Sequence, residues 1–185
     1  MLVNGKSGNL ISIRDRGLLY GDGVFRTLLA RNGIALHRQL HLQKILQDCV
    51  KLGIQGPAFS RLSDELNEVL TQHPNGIIKL IVTRGQGIRG YAPPHDAQAT
   101  HIWDVAPLPE YLGDYATLGV VMRVCETRLS EQKKLAGIKH LNRLENVLAA
   151  AEWNDANIAE GLMLDVASHV ISGTRSNVFM VKNGQ

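Results

Sequence analysis

Lys139 is the residue whose chemical type and surroundings most clearly allow catalysis. It follows Gly137 and the apolar Ile138, and it stands ahead of a leucine-rich segment with helical spacing. A lysine kept from water favours its neutral amine, and a neutral amine is a nucleophile. A solvated lysine at the start of a helix is the ordinary alternative, and the residues by themselves leave both interpretations open.

A glycine-rich segment at residues 85–90 supplies a second group of candidates. Its glycine spacing superficially matches a nucleotide-binding loop, but the two prolines that follow prevent the helix that would bind a pyrophosphate. Arg84, Arg89 and Tyr91 stand in or next to this segment. Because an arginine can bind a carboxylate through two parallel hydrogen bonds, we expect these side chains to contact a carboxylated substrate. A solvent-exposed basic loop is the alternative.

Histidines and cysteines give no pattern typical of a metal centre. His37 and His41 have the spacing of neighbours on one helix face, but no third ligand accompanies them, so we expect no bound metal. Cys49 and Cys125 are far apart and lack the spacing of a paired motif. We therefore expect two free thiols, as in a protein of the reducing cytoplasm.

The composition is that of a globular protein with a small-molecule ligand. The chain has 185 residues, of which 44% are hydrophobic and 20% charged, with a formal net charge of +3. No apolar run approaches the roughly 20 residues that span a bilayer. The basic residues are scattered among acidic ones, and the first residues lack the pattern of a secretion signal. We expect a cytoplasmic location and neither a membrane nor a nucleic-acid partner.

The elements that must position these groups form a mixed α+β pattern. The Asn32-Gly33 pair tolerates the backbone of a type I′ turn and predicts a hairpin over residues 25–37. Apolar spacing predicts a helix over residues 38–51 and a second helix that starts near Pro57. We expect further strands at residues 77–83, 100–105, 118–124, 161–165 and 177–181, and a helix at residues 141–153.

Three segments resemble the fold-type IV pyridoxal-phosphate enzymes. Residues 14–25 are similar to the N-terminal signature of that family, which includes the branched-chain and D-amino-acid aminotransferases. Residues 84–91 and 137–145 resemble the aminodeoxychorismate lyase branch more closely than the aminotransferases. The similarity runs in order through essentially the whole chain.

The resemblance implies an α+β architecture like that of D-amino-acid aminotransferase, with two domains. Residues 1–109 are expected to form the N-terminal domain, and residues 110–185 a linker and the first part of the C-terminal cofactor-binding domain. Members of the family are longer, and the sequence ends in a turn signal that would leave a sheet edge unpaired. We therefore expect the second domain to be truncated. The resemblance also implies a homodimer.

The resemblance further implies a lyase that uses pyridoxal 5′-phosphate. Lys139 is expected to bind the cofactor and to move protons, while 4-amino-4-deoxychorismate loses pyruvate and becomes 4-aminobenzoate, a precursor in folate biosynthesis. Substrate contacts are expected from Thr27, Arg89 and Tyr91. The alternatives are a branched-chain or D-amino-acid transaminase and a degraded, non-catalytic homologue.

Two cofactor positions depart from the family pattern. Lys44 stands where the family has an arginine for the cofactor phosphate, so the charge is kept but the bidentate fork is lost. Ser172 stands where a glutamate contacts the pyridine nitrogen, and a neutral hydroxyl holds a proton there less well. Asn142 and Arg143 complete the expected cofactor contacts.

Overall fold

The computed structural model describes residues 1–108 and 115–184, and the chain divides into two compact units. The first contains Met1–Pro109 together with Gly137–Leu141, and the second contains Glu110–Ala136 and Asn142–Gln185. The segment around Lys139 therefore packs with the first unit, whereas the sequence-based division assigned it to the second. The start of the expected linker, and Gln185, lie outside the described residues. No helix in the described ranges has the length and hydropathy needed to cross a membrane.

The first unit is built on a six-stranded antiparallel sheet with strand order β2-β1-β6-β5-β3-β4. Two long helices and one short one accompany it. In chain order, its elements are β1 Leu2–Val3, β2 Lys6–Ser7, α1 Arg16–Tyr20, β3 Gly23–Arg31, β4 Ile34–Ala35, α2 Arg38–Lys51, α3 Phe59–Gln72, β5 Gly76–Thr83 and β6 Thr100–Ala106.

The hairpin and the first long helix agree with the sequence predictions. Asn32 and Gly33 both have positive φ angles, 51° and 76°, as a type I′ turn requires, and Ala30 pairs with Ala35 across it. Helix α2 has the predicted bounds. Helix α3 begins at Phe59, near Pro57 as predicted. Pro57 does not lie in its first turn, however, because the intervening Ala58 is extended, with φ −61° and ψ 145°.

One face of the sheet carries the main core. Alternate residues of the central strands point toward it and are fully buried, whereas Phe25 and Thr27 of β3 lie on the opposite, more open face. Helix α2 packs on β3, and α3 packs on α2. The fully buried core side chains include Val24, Leu28, Leu42, Ile45, Leu62, Leu66, Ile78, Leu80, Val82 and Trp103.

The second unit contains a three-stranded sheet with strand order β7-β8-β9. Strands β7 and β8 are parallel and β9 is antiparallel to β8, while α5 connects and packs on the parallel pair. A small core of Cys125, Ala149 and Met163 lies between them. The elements are α4 Tyr115–Leu118, β7 Val121–Leu129, α5 Leu144–Ala150, β8 Ile158–Asp165 and β9 Val170–Gly173.

Three sequence predictions for residues after 110 are wrong in detail. The strand expected at 118–124 starts only at Val121, because Leu118 ends α4. The helix expected from Leu141 starts at Leu144, because the preceding residues run along the edge of β3: His140 pairs with Val24, and the N–H of Leu141 donates to the carbonyl of Gly23. In the described part of the chain, residues 177–181 form no strand; β9 takes the place beside β8 instead.

The glycine at position 85 should be much harder to replace than the glycine at position 33. Both have positive φ angles, but a Cβ at Gly85 would lie 1.8 Å from the carbonyl oxygen of Gln98, whereas a Cβ at Gly33 meets open space. We expect Gly33→Ala to cost about 1 kcal/mol of unfolding free energy. We expect Gly85→Ala to cost at least about 2 kcal/mol more, because backbone must move.

Urea unfolding, followed by the fluorescence of the buried Trp103, measures both losses. Equal losses in the two variants would show that the contact between Gly85 and Gln98 does not constrain the loop.

Candidate active site

The segment that carries Lys139 is bound along the edge of β3. The N–H of Phe25 donates to the carbonyl of Lys139 at 2.9 Å, and the N–H of Leu141 donates to the carbonyl of Gly23 at 3.0 Å. Val24 and His140 face each other as an antiparallel pair. Strand β4 covers only the other end of β3, so Gly137–Leu141 extends the sheet where β3 would otherwise have an open edge.

This pairing places the side chain of Lys139 on the open face of the sheet, beside Phe25. The Lys139 Nζ lies 5.0 Å from the centre of the Phe25 ring, and Lys79 Nζ lies 5.1 Å from the same centre. Thr27 is exposed on this face and pairs with Lys79 across the strands. The open face therefore brings two amines together around one aromatic ring, with Thr27 on the same face.

Lys79 was missed by the sequence analysis. Its signal was its position between Ile78 and Leu80, whose side chains point into the core from the alternate positions of β5. Successive residues of a strand point to opposite faces of the sheet. The residue between two core residues therefore lies on the opposite face, where a lysine can contact a ligand.

A buried carboxylate under the Lys139 segment binds it to helix α2. Asp48 is fully buried and accepts hydrogen bonds from the side chains of Arg26 and Lys44. The same carboxylate accepts the backbone N–H of Lys139 at 3.3 Å, and Lys44 Nζ also donates to the carbonyl of Gly137 at 3.1 Å. Strand β3, helix α2 and the lysine segment thus meet at one anion.

The charges around Asp48 favour an anionic ligand. Two cations share one carboxylate, which leaves an excess of one positive charge, and the Lys44 side chain is 39% exposed. Within the described residues, the buried Nε of Arg26 has no hydrogen-bond partner. Burial lowers the pKa of His41, and the positive charges of Arg26, His37 and Lys139 lower it further. A phosphate group fits this donor set.

The glycine-rich loop exposes two of the three side chains that the sequence assigned to substrate. Arg89 is exposed, and 83% of Tyr91 is exposed. The expectation for Arg84 is wrong. Its buried guanidinium donates to both oxygens of Asp22, at 2.8 and 3.1 Å, and to the carbonyls of residues 52 and 53 at 2.8 and 2.6 Å. These hydrogen bonds hold the Arg84 side chain inside the first unit.

Ser172, Asn142 and Arg143 belong to the second unit. Ser172 lies in β9, opposite Met163 of β8. Asn142 and Arg143 precede α5, and Arg143 is the residue immediately before its first turn.

Glu160 of β8 is a buried carboxylate that no sequence pattern indicated. It accepts the backbone N–H groups of Gly161 at 2.9 Å and Thr174 at 3.0 Å, and the hydroxyl of Ser176 at 2.6 Å. Burial raises the pKa of Glu160, but these hydrogen bonds outweigh it and the net pKa is lowered. Glu160 is therefore ionised, and it holds in place the turn that follows Ser172.

Neither cysteine is poised to react. Both thiols are free and buried, and burial together with the charge of Asp48 raises the pKa of Cys49 to about 12. Across residues 1–108 and 115–184, no three histidine, cysteine or acidic side chains are grouped as a metal site requires.

Known proteins are similar to this chain in sequence and in fold. The family model described as "Amino-transferase class IV" matches residues 23–185. The aminodeoxychorismate lyase of Vibrio harveyi is 34% identical over 98% of this chain and 67% of its own length. The crystal structure of 4-amino-4-deoxychorismate lyase from Pseudomonas aeruginosa superimposes with a TM-score of 0.90 at 46% identity, covering 94% of this chain and 64% of that one.

Transaminases are similar as well. The D-alanine aminotransferase of Bacillus licheniformis is 28% identical over 98% of this chain and 65% of its own length. The chain thus spans about two thirds of the length of each of these relatives.

Removing the charge of Asp48 should destabilise the first unit strongly. Asp48→Asn keeps an acceptor for the N–H of Lys139 but leaves Arg26 and Lys44 without their counter-ion. We expect a loss of about 3–5 kcal/mol in unfolding free energy, since an uncompensated charge stays buried. The exposed Asp64 provides the matched control, and Asp64→Asn should change stability by less than about 0.5 kcal/mol. Similar urea midpoints for the two variants would contradict the role given to Asp48.

Proposed function

The chain belongs to the class IV aminotransferase family, and on that premise we propose that it carries the catalytic amine and the phosphate- and substrate-binding groups of a 4-amino-4-deoxychorismate lyase. The observation that carries the proposal is the Lys139 amine, held beside Phe25 on the open face of the sheet by a segment that pairs with β3 and donates its backbone N–H to Asp48. The reaction would release pyruvate and form 4-aminobenzoate.

Enzymes of this family use pyridoxal 5′-phosphate. In this chain, Lys139 would hold the cofactor covalently and Lys44 would bind its phosphate. The cofactor contacts expected from Ser172, Asn142 and Arg143 remain predictions of the family resemblance. When bound, the cofactor delocalises the negative charge that remains on a substrate carbon after proton loss. The excess positive charge beside the Lys139 segment and the exposure of Lys44 support this assignment.

The backbone of Lys139 is fixed on both sides, and this suits a proton-transfer role. Its carbonyl is bound to Phe25 and its N–H to Asp48, so only the side chain needs to move during the reaction. Once the substrate amine had displaced Lys139 from the cofactor, the freed Lys139 Nζ would take the proton from C4 of the substrate. The carbon–oxygen bond to the enolpyruvyl group would then break, that group would leave and gain a proton as pyruvate, and the ring would become aromatic. A base that moves without its backbone keeps its geometry relative to the substrate.

The surroundings of Lys139 suit a substrate with carboxylate groups. Lys79 flanks the same Phe25 ring as Lys139, and Arg89 provides a second exposed cation in the same unit. We infer that these two cations bind the carboxylates of 4-amino-4-deoxychorismate, while Thr27 and Tyr91 supply hydroxyl groups. An arginine offers a planar pair of donors, so Arg89 would give most of the orientation.

A branched-chain or D-amino-acid transaminase is the second candidate, because a D-alanine aminotransferase matches 98% of the chain. The higher identity to the lyase from Pseudomonas aeruginosa favours the lyase. A degraded, non-catalytic homologue is the third candidate, and failure of the chain to bind the cofactor would support it. We also propose that the protein acts in the cytoplasm as a homodimer.

Lys139 should be the residue that becomes labelled when the protein is loaded with pyridoxal phosphate and reduced with borohydride. Peptide mapping should find the cofactor on Lys139 and leave Lys133 and Lys134 unmodified. Lys139→Arg should abolish the label while leaving the fold intact, because it preserves the charge. A label on either neighbouring lysine would refute the assignment.

The lyase reaction should proceed without a second substrate. Incubation with 4-amino-4-deoxychorismate should yield equal amounts of pyruvate and 4-aminobenzoate with no added oxo acid, because the carbon–oxygen bond breaks within one molecule. Both products can be quantified by chromatography, with Lys139→Arg as the control. Turnover only after an oxo acid and an amino acid are supplied would favour the transaminase instead.

A further inference from the structure

Arg16 is an almost completely buried arginine, and most of its hydrogen-bond partners lie far away in sequence. Only 3% of the residue is exposed, and arginine is rarely so buried unless it is paired. Its Nη1 donates to the carbonyls of Gly90 at 3.0 Å and Ala92 at 3.4 Å, and its Nη2 donates to the carbonyl of Tyr91 at 2.7 Å. Three consecutive carbonyl oxygens of the exposed loop thus converge on one guanidinium.

The position of the Arg16 guanidinium is itself fixed by the first unit. Its Nε donates to Asp22 at 2.8 Å, and Arg84 binds the same carboxylate while donating to two carbonyls at the end of α2. Burial raises the pKa of Asp22, but the hydrogen bonds from Arg84 and Arg16 outweigh it and the net pKa is lowered. Asp22 therefore remains an anion at neutral pH.

Tyr20 connects this anchor to the side chain of Tyr91. The Arg16 guanidinium lies 4.9 Å from the centre of the Tyr20 ring, and the rings of Tyr20 and Tyr91 are 5.3 Å apart with an edge-to-face inclination of 62°. Arg16 therefore holds the loop backbone at residues 90–92, while Tyr20 limits the directions open to the Tyr91 ring.

We propose that Arg16 is a positioning residue that determines how the loop presents Arg89 and Tyr91 to the substrate. The substrate part of this inference rests on the lyase function proposed above. A lysine at position 16 would keep the charge, but its single nitrogen cannot reach Asp22 and three carbonyls in the planar arrangement that the guanidinium provides. Arg16→Lys should therefore release the loop without changing the charge of the site.

Trypsin tests the anchor without any substrate, because it cleaves the chain after Arg89. Cleavage requires the loop to open locally, and its rate follows how often the loop opens. We expect Arg16→Lys to accelerate the appearance of the fragment beginning at Gly90 by about tenfold or more. The matched control is Arg84→Lys, which loses bonds to the same Asp22 but none to residues 90–92; it should accelerate cleavage by less than about threefold.

Equal acceleration in the two variants, or none in Arg16→Lys, would overturn the proposal. If Arg16→Lys fails to fold by circular dichroism, Tyr20→Leu takes its place, because it removes the ring that contacts both Arg16 and Tyr91. Tyr20→Leu should accelerate cleavage after Arg89 by about threefold or more, and an unchanged rate would contradict the anchor.

A double-mutant cycle, with KM and kcat as the measured quantities, tests whether Arg16 acts through Arg89. Arg16→Lys should raise KM by about tenfold with little change in kcat, as expected for lost substrate binding. In an Arg89→Ala background, the same substitution should raise KM by less than about twofold, because the residue that Arg16 positions is gone. Independent effects of the two substitutions would overturn the positioning role. A chain without lyase turnover would refute the proposed function. The trypsin experiment would still show whether Arg16 anchors the loop.

Discussion

The site depends most on one fully buried carboxylate, that of Asp48. An isolated charge inside a protein is very unfavourable, so Asp48 requires the positive charges of Arg26 and Lys44 and the N–H of Lys139. These partners come from β3, from α2 itself and from a segment much later in the chain. Satisfying one anion therefore fixes the relative positions of three pieces of backbone, and the lysine amine is placed as a result.

Asp22 organises a second region of the first unit in the same way. It joins Arg16 and Arg84, whose remaining donors bind loop carbonyls at residues 90–92 and at residues 52–53. In each case one carboxylate pairs with two cations, and at least one of these cations also donates to a carbonyl of irregular backbone. Such backbone needs these donors, since buried or partly buried carbonyls are costly without hydrogen bonds. The exposed side chains of the loop are thereby supported by a rigid interior.

The features that depend on local backbone chemistry could be predicted from the sequence, and those that depend on distant partners could not. The turn at Asn32 and Gly33 and the bounds of α2 follow from positive φ angles and apolar spacing. Arg84 stands beside the loop glycines, and the sequence around it gives no sign that its side chain is buried and paired with Asp22. Helix α5 begins later than its leucine pattern indicates, because His140 and Leu141 are held along the edge of β3. The position of Lys79 on the open face, by contrast, could have been predicted from the alternation of buried and exposed residues in β5.

The pairing between β3 and the Lys139 segment has a consequence for the order in which the chain can fold during synthesis. Val24 emerges from the ribosome early, but its partner His140 emerges only after most of the chain has been made. Contacts between residues so far apart in sequence form slowly, because a long loop must close before they contribute. Until then the start of β3 is an unpaired edge, which can recruit a strand from another nascent chain. The last step in completing the first sheet is thus also the step that places the lysine, so only chains that have closed this edge hold their amine in position.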